Sequence, residues 1–298
     1  MFHRLSAQYP KYFTPPKDSA AALQAFAEGR LISPIGIEGL HQIGNSLSTL
    51  RLYYQLGVRY STLTWNCHNI YADAALVSEN GETVVSRPLW KGVSPAGEQL
   101  ILEMNRLGML VDLSHVSQDT MRDVLGISDK KWGGSKAPII FSHSSAYAIC
   151  PHPRNVPDDV LRAVKDTNSL VMVNFSPDFI SCTASNSTSG LPDFYPKNST
   201  LAQVVRHIRH IGELIGYDHV GIGTDYDGID STPQGLEDVS KFPDLVAELL
   251  SQGVSDADVA KLVGRNLLRV WKKADEVALD LQKTIDPIED NIESRPMV

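Results

Sequence analysis

Short apolar segments recur along the chain, and stretches with helical periodicity separate them. Six of these segments have the length of a β-strand, and they lie at residues 31–37, 58–64, 108–114, 138–142, 169–175 and 219–224. Strands that alternate with helices are typical of a parallel sheet, because each connection has to return along a face of the sheet. The pattern therefore predicts an α/β fold with six parallel strands.

Helices are indicated most clearly in three places. In segment 94–107, Ser94 suits the N-cap, Pro95 suits the first helical position, and one face is apolar; that face carries Leu100, Met104 and Leu107. Segment 201–215 has apolar residues at helical spacing, which predicts a second amphipathic helix. From Leu236 to about Leu281 the pattern is helical with little strand signal.

The chain predicts a single domain over residues 1–298, since no linker or shift in composition divides it. Segment 183–200 is rich in Ser, Asn, Thr and Gly and predicts a loop, not a boundary. Loops that carry chemistry on one side of the sheet favour a barrel over an open sheet. A closed barrel of this class needs eight strands, two more than the pattern supplies.

Four ionisable residues stand where apolar segments end. Glu38 follows the first segment, His115 the third, His143 the fourth and Asp225 the sixth. In a parallel barrel the carboxyl ends of the strands converge on one rim, where active sites are built. Two imidazoles and two carboxylates gathered there would form a metal-dependent hydrolytic centre.

Each of these residues also has a plainer interpretation. Glu38 alone would be a solvated acid after a strand, and His115 or His143 alone could be a hydrogen-bonded core histidine. Asp225 could belong, with Asp227, to a turn held by side-chain hydrogen bonds. Two histidines at equivalent ends of consecutive strands favour a functional interpretation, because neighbouring strand ends can reach one metal ion.

Arg154 is the candidate for binding substrate, and its role is open. It could pair with a helix acid such as Asp158, or it could hold a substrate carboxylate in bidentate fashion. Six other histidines are expected to be structural or on the surface; they are His3, His41, His152, His207, His210 and His219.

Composition and charge narrow the classes of partner. The 298 residues carry a net charge of −8 with a pI of about 5.6, which argues against nucleic acid or an anionic membrane surface. No apolar run approaches the roughly 18 residues that span a bilayer. Neither end of the chain has the apolar core of a signal peptide or the tail of a lipid-anchor signal. The compartment is therefore left open.

Cysteines and glycosylation sequons add a weak hint of a secreted ancestor. The chain has three cysteines, Cys67, Cys150 and Cys182, which allow one bridge and leave one thiol. Sequons begin at Asn174, Asn186 and Asn198. The first lies in a segment expected to be buried, whereas the other two lie in the predicted loop.

Several motifs occur in order along nearly the whole chain. They are Glu38-Gly39, Gly57-Val58-Arg59-Tyr60-Ser61-Thr62-Leu63-Thr64, Asp112-Leu113-Ser114-His115-Val116-Ser117, Phe141-Ser142-His143-Ser144-Ser145, Arg154-Asn155-Val156-Pro157 and Gly223-Thr224-Asp225-Tyr226-Asp227-Gly228. Together they closely resemble the signature of the renal, or membrane, dipeptidases. The resemblance implies a (β/α)₈ barrel with two zinc ions that cleaves dipeptides by metal-activated water.

The resemblance also implies a role for each candidate. Glu38 would bridge both metals, and His115 and His143 would hold one of them. Arg154 would bind the C-terminal carboxylate of the substrate. Asp225 would handle protons at the reaction centre.

The cysteines and the missing metal ligands both indicate that the first strands of the family pattern are absent from this sequence. Cys150 and Cys182 match a disulfide of the family, and Cys67 matches a cysteine whose partner would lie in a segment absent from this sequence. The family opens with a strand that carries His-x-Asp, two ligands of the other zinc site, but no such motif precedes Glu38. The resemblance therefore predicts a TIM-like (β/α)₈ barrel of the metal-dependent hydrolase type that lacks about its first two strands.

The pocket also departs from the family pattern. Trp65 stands where the family has a substrate-contacting histidine, and His68 lies three residues further on as a possible substitute. Phe179 replaces a tyrosine expected near the substrate.

These observations leave three functions to separate. The first is a zinc-dependent dipeptidase whose sequence here is a clipped reading frame. The second is a catalytically impaired fragment kept as a binding protein, and the third is another amidohydrolase-type hydrolase. Because a barrel without two strands exposes two sheet edges, we also expect poor solubility unless the chain pairs with itself as a homodimer.

Overall fold

A six-stranded parallel sheet forms the centre of the computed structural model, which describes residues 2–290. The strands are β1 (Ile35–Glu38), β2 (Val58–Thr62), β3 (Leu110–Asp112), β4 (Ile140–Phe141), β5 (Leu170–Val173) and β6 (Val220–Ile222). Their order across the sheet, β6-β5-β4-β3-β2-β1, follows the chain, and every neighbouring pair is parallel. The predicted α/β fold with a parallel sheet is confirmed.

Helices connect the strands and form the last third of the described chain. They are α1 (Phe2–Gln8), α2 (Ser19–Ala27), α3 (Leu47–Gln55), α4 (Pro95–Leu107), α5 (Gln118–Val124), α6 (Asp158–Asp166), α7 (Pro177–Ile180), α8 (Leu201–Ile215), α9 (Phe242–Ser251), α10 (Asp256–Ala260) and α11 (Asn266–Leu281). The Ser94 side chain accepts a hydrogen bond from the Gly97 N–H and caps α4, as the sequence predicts. None of the helices in residues 2–290 combines the length and the apolar character that crossing a bilayer requires.

Two local features differ from the sequence prediction. Segment 31–37 is not one strand: Leu31–Ile32 pairs with Phe13–Thr14, and β1 starts only at Ile35. Pro34 separates the two pieces, because proline has no N–H to donate to a ladder. An unpredicted hairpin pairs Leu76–Glu79 with Glu82–Val85.

The signal for that hairpin is present in the sequence. Its turn residues, Asn80 and Gly81, both have positive φ, as an Asn-Gly turn between two antiparallel strands requires. The predicted loop at 183–200 is confirmed in its outline. It contains one short antiparallel pair, Cys182–Thr183 with Asp193–Phe194.

The sheet is strongly curled. Gly36 and Ile37 of β1 line the same cavity, of about 310 Å³, as Thr224 and Asp225, which follow β6. Six strands laid flat at the usual spacing would hold their outer strands about 24 Å apart. Because both outer strands face one small cavity, the carboxyl ends of the strands gather around a common space.

A buried carboxylate ties the C-terminal segment to the helical layer. Glu103 of α4 is fully buried and accepts two hydrogen bonds from Arg106, each 2.8 Å long. It also accepts one from Arg51 of α3 at 3.1 Å and one from the Ile288 N–H at 3.2 Å. Removing such a charge leaves its buried partners uncompensated.

We predict that Glu103→Gln lowers the free energy of unfolding by about 3 kcal/mol, because Arg106 loses its paired carboxylate and Arg51 keeps only the exposed Glu289. Urea denaturation followed by circular dichroism measures the change. The matched control is Glu276→Gln, which removes an exposed carboxylate paired with Lys273 and should cost less than about 1 kcal/mol. Equal effects of the two variants would contradict the prediction.

Candidate active site

The site begins with the register of the sheet. Glu38 at the end of β1 is level with Thr62, Thr62 with Asp112, and Asp112 with Ile140. His115 lies three residues beyond Asp112, and His143 lies three residues beyond Ile140. The parallel pairing therefore brings the two histidines to the same height above the sheet.

Glu38, His115 and His143 come together at this height. His115 Nε2 lies 3.0 Å from Glu38 Oε1, and His143 Nε2 lies 3.3 Å from the same oxygen. One possible ligand atom from each of the three side chains falls within 4.8 Å of the others. Both histidines are buried, and the carboxylate is about half exposed.

The other ring nitrogen of each histidine is occupied. His115 Nδ1 lies 3.0 Å from Asn66 Oδ1. The Ser142 hydroxyl donates to Ser114 and thereby accepts from His143 Nδ1 at 2.7 Å. The Nε2 atoms of both histidines consequently face the Glu38 carboxylate, and no hydrogen-bond partner satisfies the buried His143 Nε2.

The ionisation of the pair fits this arrangement. Burial lowers the pKa of His115 to about 3, so the ring is neutral. The hydrogen-bond contact with His115 holds the pKa of Glu38 well below its usual range, so the carboxylate is ionised. Neutral imidazoles and an ionised carboxylate are the forms in which these groups bind metal ions.

Asp112 holds the two histidine loops in place, a role that sequence reasoning did not assign. Its Oδ1 accepts the N–H of Ser114 at 3.0 Å and that of Ser142 at 2.9 Å. Each of these serines directly precedes a histidine of the site. The Ser114 hydroxyl also accepts the His143 N–H at 3.0 Å, so the two loops are fixed to each other.

Asp225 lies on a strained turn beside this centre. It has a φ of 61° and His115 a φ of 73°, values that non-glycine residues adopt only when the surrounding structure enforces them. The chain turns here on a backbone hydrogen bond, which the Gly228 N–H donates to the Asp225 carbonyl, whereas the plainer interpretation of this segment had side-chain hydrogen bonds. A Cβ on Gly228 would lie only 2.2 Å from Asp225 Oδ1, so a side chain there would displace the Asp225 carboxylate.

The environment of Asp225 favours proton exchange. Burial raises its pKa, and the nearby Glu38 charge raises it further. The Asn174 amide donates to Asp225 Oδ2 at 3.2 Å and orients the carboxylate. A carboxyl group whose pKa is raised toward neutrality is suited to take up and release a proton.

Arg154 is buried without hydrogen-bond partners for most of its guanidinium. The residue is 3% exposed, and its Nε and Nη2 contact no acceptor in residues 2–290. Burial lowers the pKa of Arg154 to about 10, which leaves it charged. The possible pairing with Asp158 is not formed, because Asp158 binds His210 at 2.9 Å.

Aromatic rings and a disulfide fix the position of Arg154. The Phe179 ring lies 5.1 Å from the Arg154 guanidinium carbon and 4.3 Å from the His152 ring. The Cys150–Cys182 disulfide is present and joins the loops on either side. Burial lowers the pKa of His152 to about 3; this neutral ring is a site residue that sequence reasoning assigned to structure.

One cavity of about 410 Å³ connects these groups. Glu38, His115, Arg154 and Asp225 all line it. The cavity is the size of a small-molecule site and offers a cation, a carboxylate and imidazoles on converging walls. Three of the four strand-end candidates therefore line one cavity with Arg154, and His143 joins them through its contact with Glu38. Along the chain, 187 positions separate the first and the last of these residues.

The residues that depart from the family pattern lie around this cavity. Trp65 lines it, is 45% exposed and has its ring 6.4 Å from that of His115. His68 turns away toward Asp73, 3.2 Å from its carboxylate. Cys67 is unpaired within the described part of the chain.

The fold and the site together define a parallel α/β protein with a candidate metal centre at the carboxyl ends of its strands. A family model described as membrane dipeptidase (peptidase family M19) matches residues 1–284. The chain belongs to this family.

Individual relatives agree with that membership. The chain is 44% identical over 294 residues to "Dipeptidase aclJ" of Aspergillus oryzae, with 98% of this chain and 63% of that protein covered. It is 47% identical over 275 residues to "Uncharacterized dipeptidase C3A11.10c" of Schizosaccharomyces pombe, with 92% and 61% covered. The chain thus spans about three-fifths of the length of these curated relatives.

A solved structure shares the fold. It is a metallo peptidase from Rhodobacter sphaeroides liganded with a phosphinate mimic of the dipeptide L-Ala-D-Ala. The TM-score is 0.72 at 26% sequence identity, and 88% of this chain and 69% of that chain are covered.

We predict that Arg154→Met raises the free energy of unfolding by about 1–2 kcal/mol, because methionine removes a buried charge with unsatisfied N–H groups. Thermal and urea denaturation of the protein stripped of metal measure the change. Arg122→Met, which removes a surface pair with Asp159, serves as the control and should shift stability by less than about 0.5 kcal/mol. A clear loss of stability in Arg154→Met would mean that the surrounding carboxylates already compensate the guanidinium.

We also predict that His207 makes the loops around the site sensitive to acid. Its ring accepts the Ala146 N–H at 3.0 Å and bonds the Ile180 carbonyl at 2.9 Å, and burial lowers its pKa to about 4. Its contribution to stability is complete above its ordinary pKa of 6.5 and is lost as the pH falls through 4. Between pH 7 and pH 4.5 this amounts to about 2 kcal/mol.

Urea denaturation at the two pH values tests this prediction. His207→Gln should lose about 2 kcal/mol less than the parent protein on acidification, because glutamine does not titrate. His210→Gln, on the same helix, should retain the acid sensitivity of the parent. An unchanged acid sensitivity in His207→Gln would sink the prediction.

Proposed function

We propose that this protein is a zinc-dependent dipeptidase that hydrolyses the peptide bond of dipeptides. One observation carries the proposal: Glu38, His115 and His143 bring possible ligand atoms within 4.8 Å of one another, and Glu38 and His115 line one cavity with a buried guanidinium that lacks acceptors at Nε and Nη2. The first set suits a metal ion, and the guanidinium suits a carboxylate. A dipeptide carries both a scissile carbonyl and a terminal carboxylate.

The donor set fits zinc. Glu38, His115 and His143 supply two nitrogens and oxygen, and their outer nitrogens are fixed by Asn66 and Ser142, as is usual for ligands of this metal. Zinc bound there would lower the pKa of a water molecule and polarise the substrate carbonyl. In the resembled family Glu38 serves two ions, and the His-x-Asp ligands of the other site have no counterpart in this sequence.

The remaining steps belong to the side chains of this protein. Arg154 binds the terminal carboxylate through two N–H groups and so fixes the peptide bond beside Glu38. Asp225 takes a proton from the water whose oxygen attacks the carbonyl carbon. As the C–N bond breaks, Asp225 returns that proton to the leaving nitrogen, which departs as an amine.

The finer architecture is part of the same proposal. The curled sheet supports an arc of a (β/α)₈ barrel with its active rim at the carboxyl ends of the strands. Strands β1 and β6 form the two edges of the sheet, and edge strands are where a second chain can pair. A homodimer joined at these edges is the corresponding proposal for the assembly.

A binding function without catalysis is the second candidate. The exposed Trp65 beside His115 favours it, because an aromatic ring there can hold a ligand but cannot exchange protons. An amidohydrolase acting on cyclic amides would use the same centre, and substrate assays distinguish it from a dipeptidase.

We predict that the protein loaded with zinc hydrolyses dipeptides, and that His143→Ala lowers both zinc content and turnover. Turnover should fall on the order of 100-fold or more, because mutation of residues that only hydrogen-bond to metal ligands already lowers activity by up to about 100-fold. Metal analysis and a ninhydrin assay measure the two quantities. His210→Ala, which removes a histidine outside the cavity, is the control and should retain both.

The outcomes separate the candidates. Zinc uptake with hydrolysis of Ala-Ala supports the dipeptidase. Zinc uptake with hydrolysis of a cyclic amide only would favour the amidohydrolase, and zinc uptake with no turnover would favour binding. Failure of the protein to take up zinc after chelation and resupply would overturn all three.

A further inference from the structure

Two carboxylates at the cavity have no role in the proposed chemistry. Asp178 precedes Phe179 in α7, and Asp230 follows the strained Asp225 turn; both line the cavity that holds Arg154. They come from segments after different strands, β5 and β6, and line the same cavity. Neither belongs to the motifs by which the chain resembles its family.

These two carboxylates lack a cationic partner. Among residues 2–290, no lysine, arginine or histidine forms an ion pair with Asp178 or Asp230. Partial burial raises the pKa of Asp178, and no neighbouring cation offsets this effect. Both aspartates are exposed, so their charges are accessible to a cation that a ligand brings.

A second feature shows that this space takes a charged ligand. Arg154 lines the same cavity and is only 3% exposed, and its Nε and Nη2 have no acceptors. A ligand that satisfies this guanidinium lies within the cavity, where Asp178 and Asp230 also face it. The cavity therefore offers one guanidinium and two carboxylates to a single small molecule.

We propose that Asp178 and Asp230 form a subsite for a basic side chain, so that the protein prefers dipeptides containing lysine or arginine. The inference rests on the proposed function and narrows its substrate class. With the terminal carboxylate on Arg154, a side-chain ammonium or guanidinium reaches the carboxylates that no protein group neutralises. Exposed charge pairs of this kind contribute up to about fivefold in affinity.

The experiment measures binding and turnover separately. Phosphinate analogues of Ala-Ala, Lys-Ala, Ala-Lys and Ala-Glu are titrated calorimetrically into the zinc-loaded protein, and the corresponding dipeptides are assayed for kcat/KM. We expect a lysine analogue to bind about fivefold more tightly than the Ala-Ala analogue, and the Ala-Glu analogue to bind more weakly. The preference should shrink at 0.5 M salt, which screens exposed charges.

Variants assign the effect to the two carboxylates. Asp178→Asn and Asp230→Asn should each reduce the preference for lysine and leave affinity for the Ala-Ala analogue within about twofold. Asp129→Asn, an exposed aspartate outside the cavity, is the matched control and should change nothing. If both variants weaken every analogue equally, the carboxylates bind the common α-ammonium group and the proposal is wrong.

The two proposals fail in different ways. Absence of a charge preference, or a preference that survives in the double variant, overturns the subsite even when Ala-Ala is hydrolysed. A charge preference in calorimetry without hydrolysis of any dipeptide overturns the proposed catalysis and leaves the subsite standing.

Discussion

The whole site depends on the register of parallel strand pairing. Hydrogen bonds along the sheet set Glu38, Thr62, Asp112 and Ile140 level with one another, and short loops then carry His115 and His143 to equal heights. A slip of one residue in any pair would send alternate side chains to the other face. The clustering of ligand atoms is therefore a property of the sheet, and the loops only complete it through Asp112 and Ser114.

Several residues around the cavity lower the free energy of unfolding. Arg154 keeps a buried charge without acceptors, and His115 and Asp225 hold backbone angles that cost free energy. At this cavity a substrate and a metal ion would supply the missing partners. The surrounding core, with Phe141 and Phe175 fully buried, provides the rigidity that maintains them.

Much of the fold could be predicted from sequence because its signals are local. Apolar runs such as that ending at Asp112 indicate strands, and Ser94 with Pro95 marks the start of α4. Partnerships between distant residues could not be predicted in the same way. Asn66 orients His115 from 49 positions away, and no local pattern distinguishes that asparagine from others.

The same limit explains why sequence alone does not decide the role of Arg154. Whether it pairs with Asp158 depends on His210, which lies 52 positions further along and takes the carboxylate. For a similar reason the sequence predicts only a structural or surface role for His152. Its contact with the Phe179 ring arises only when two loops meet. Motifs resembling a known family located the candidates, whereas their partners became visible only in three dimensions.

The Cys150–Cys182 bridge has a consequence for how the cavity responds to its surroundings. It links the loop that carries Arg154 to the segment that carries Phe179, and the Asn155 amide spans the same gap by donating to the Phe179 carbonyl at 2.7 Å. If the sulfur link were reduced, this hydrogen bond and the packing of the aromatic ring would have to hold the two walls together. The oxidised disulfide is thus one of the links that set the separation of Arg154 and Phe179 at this end of the cleft.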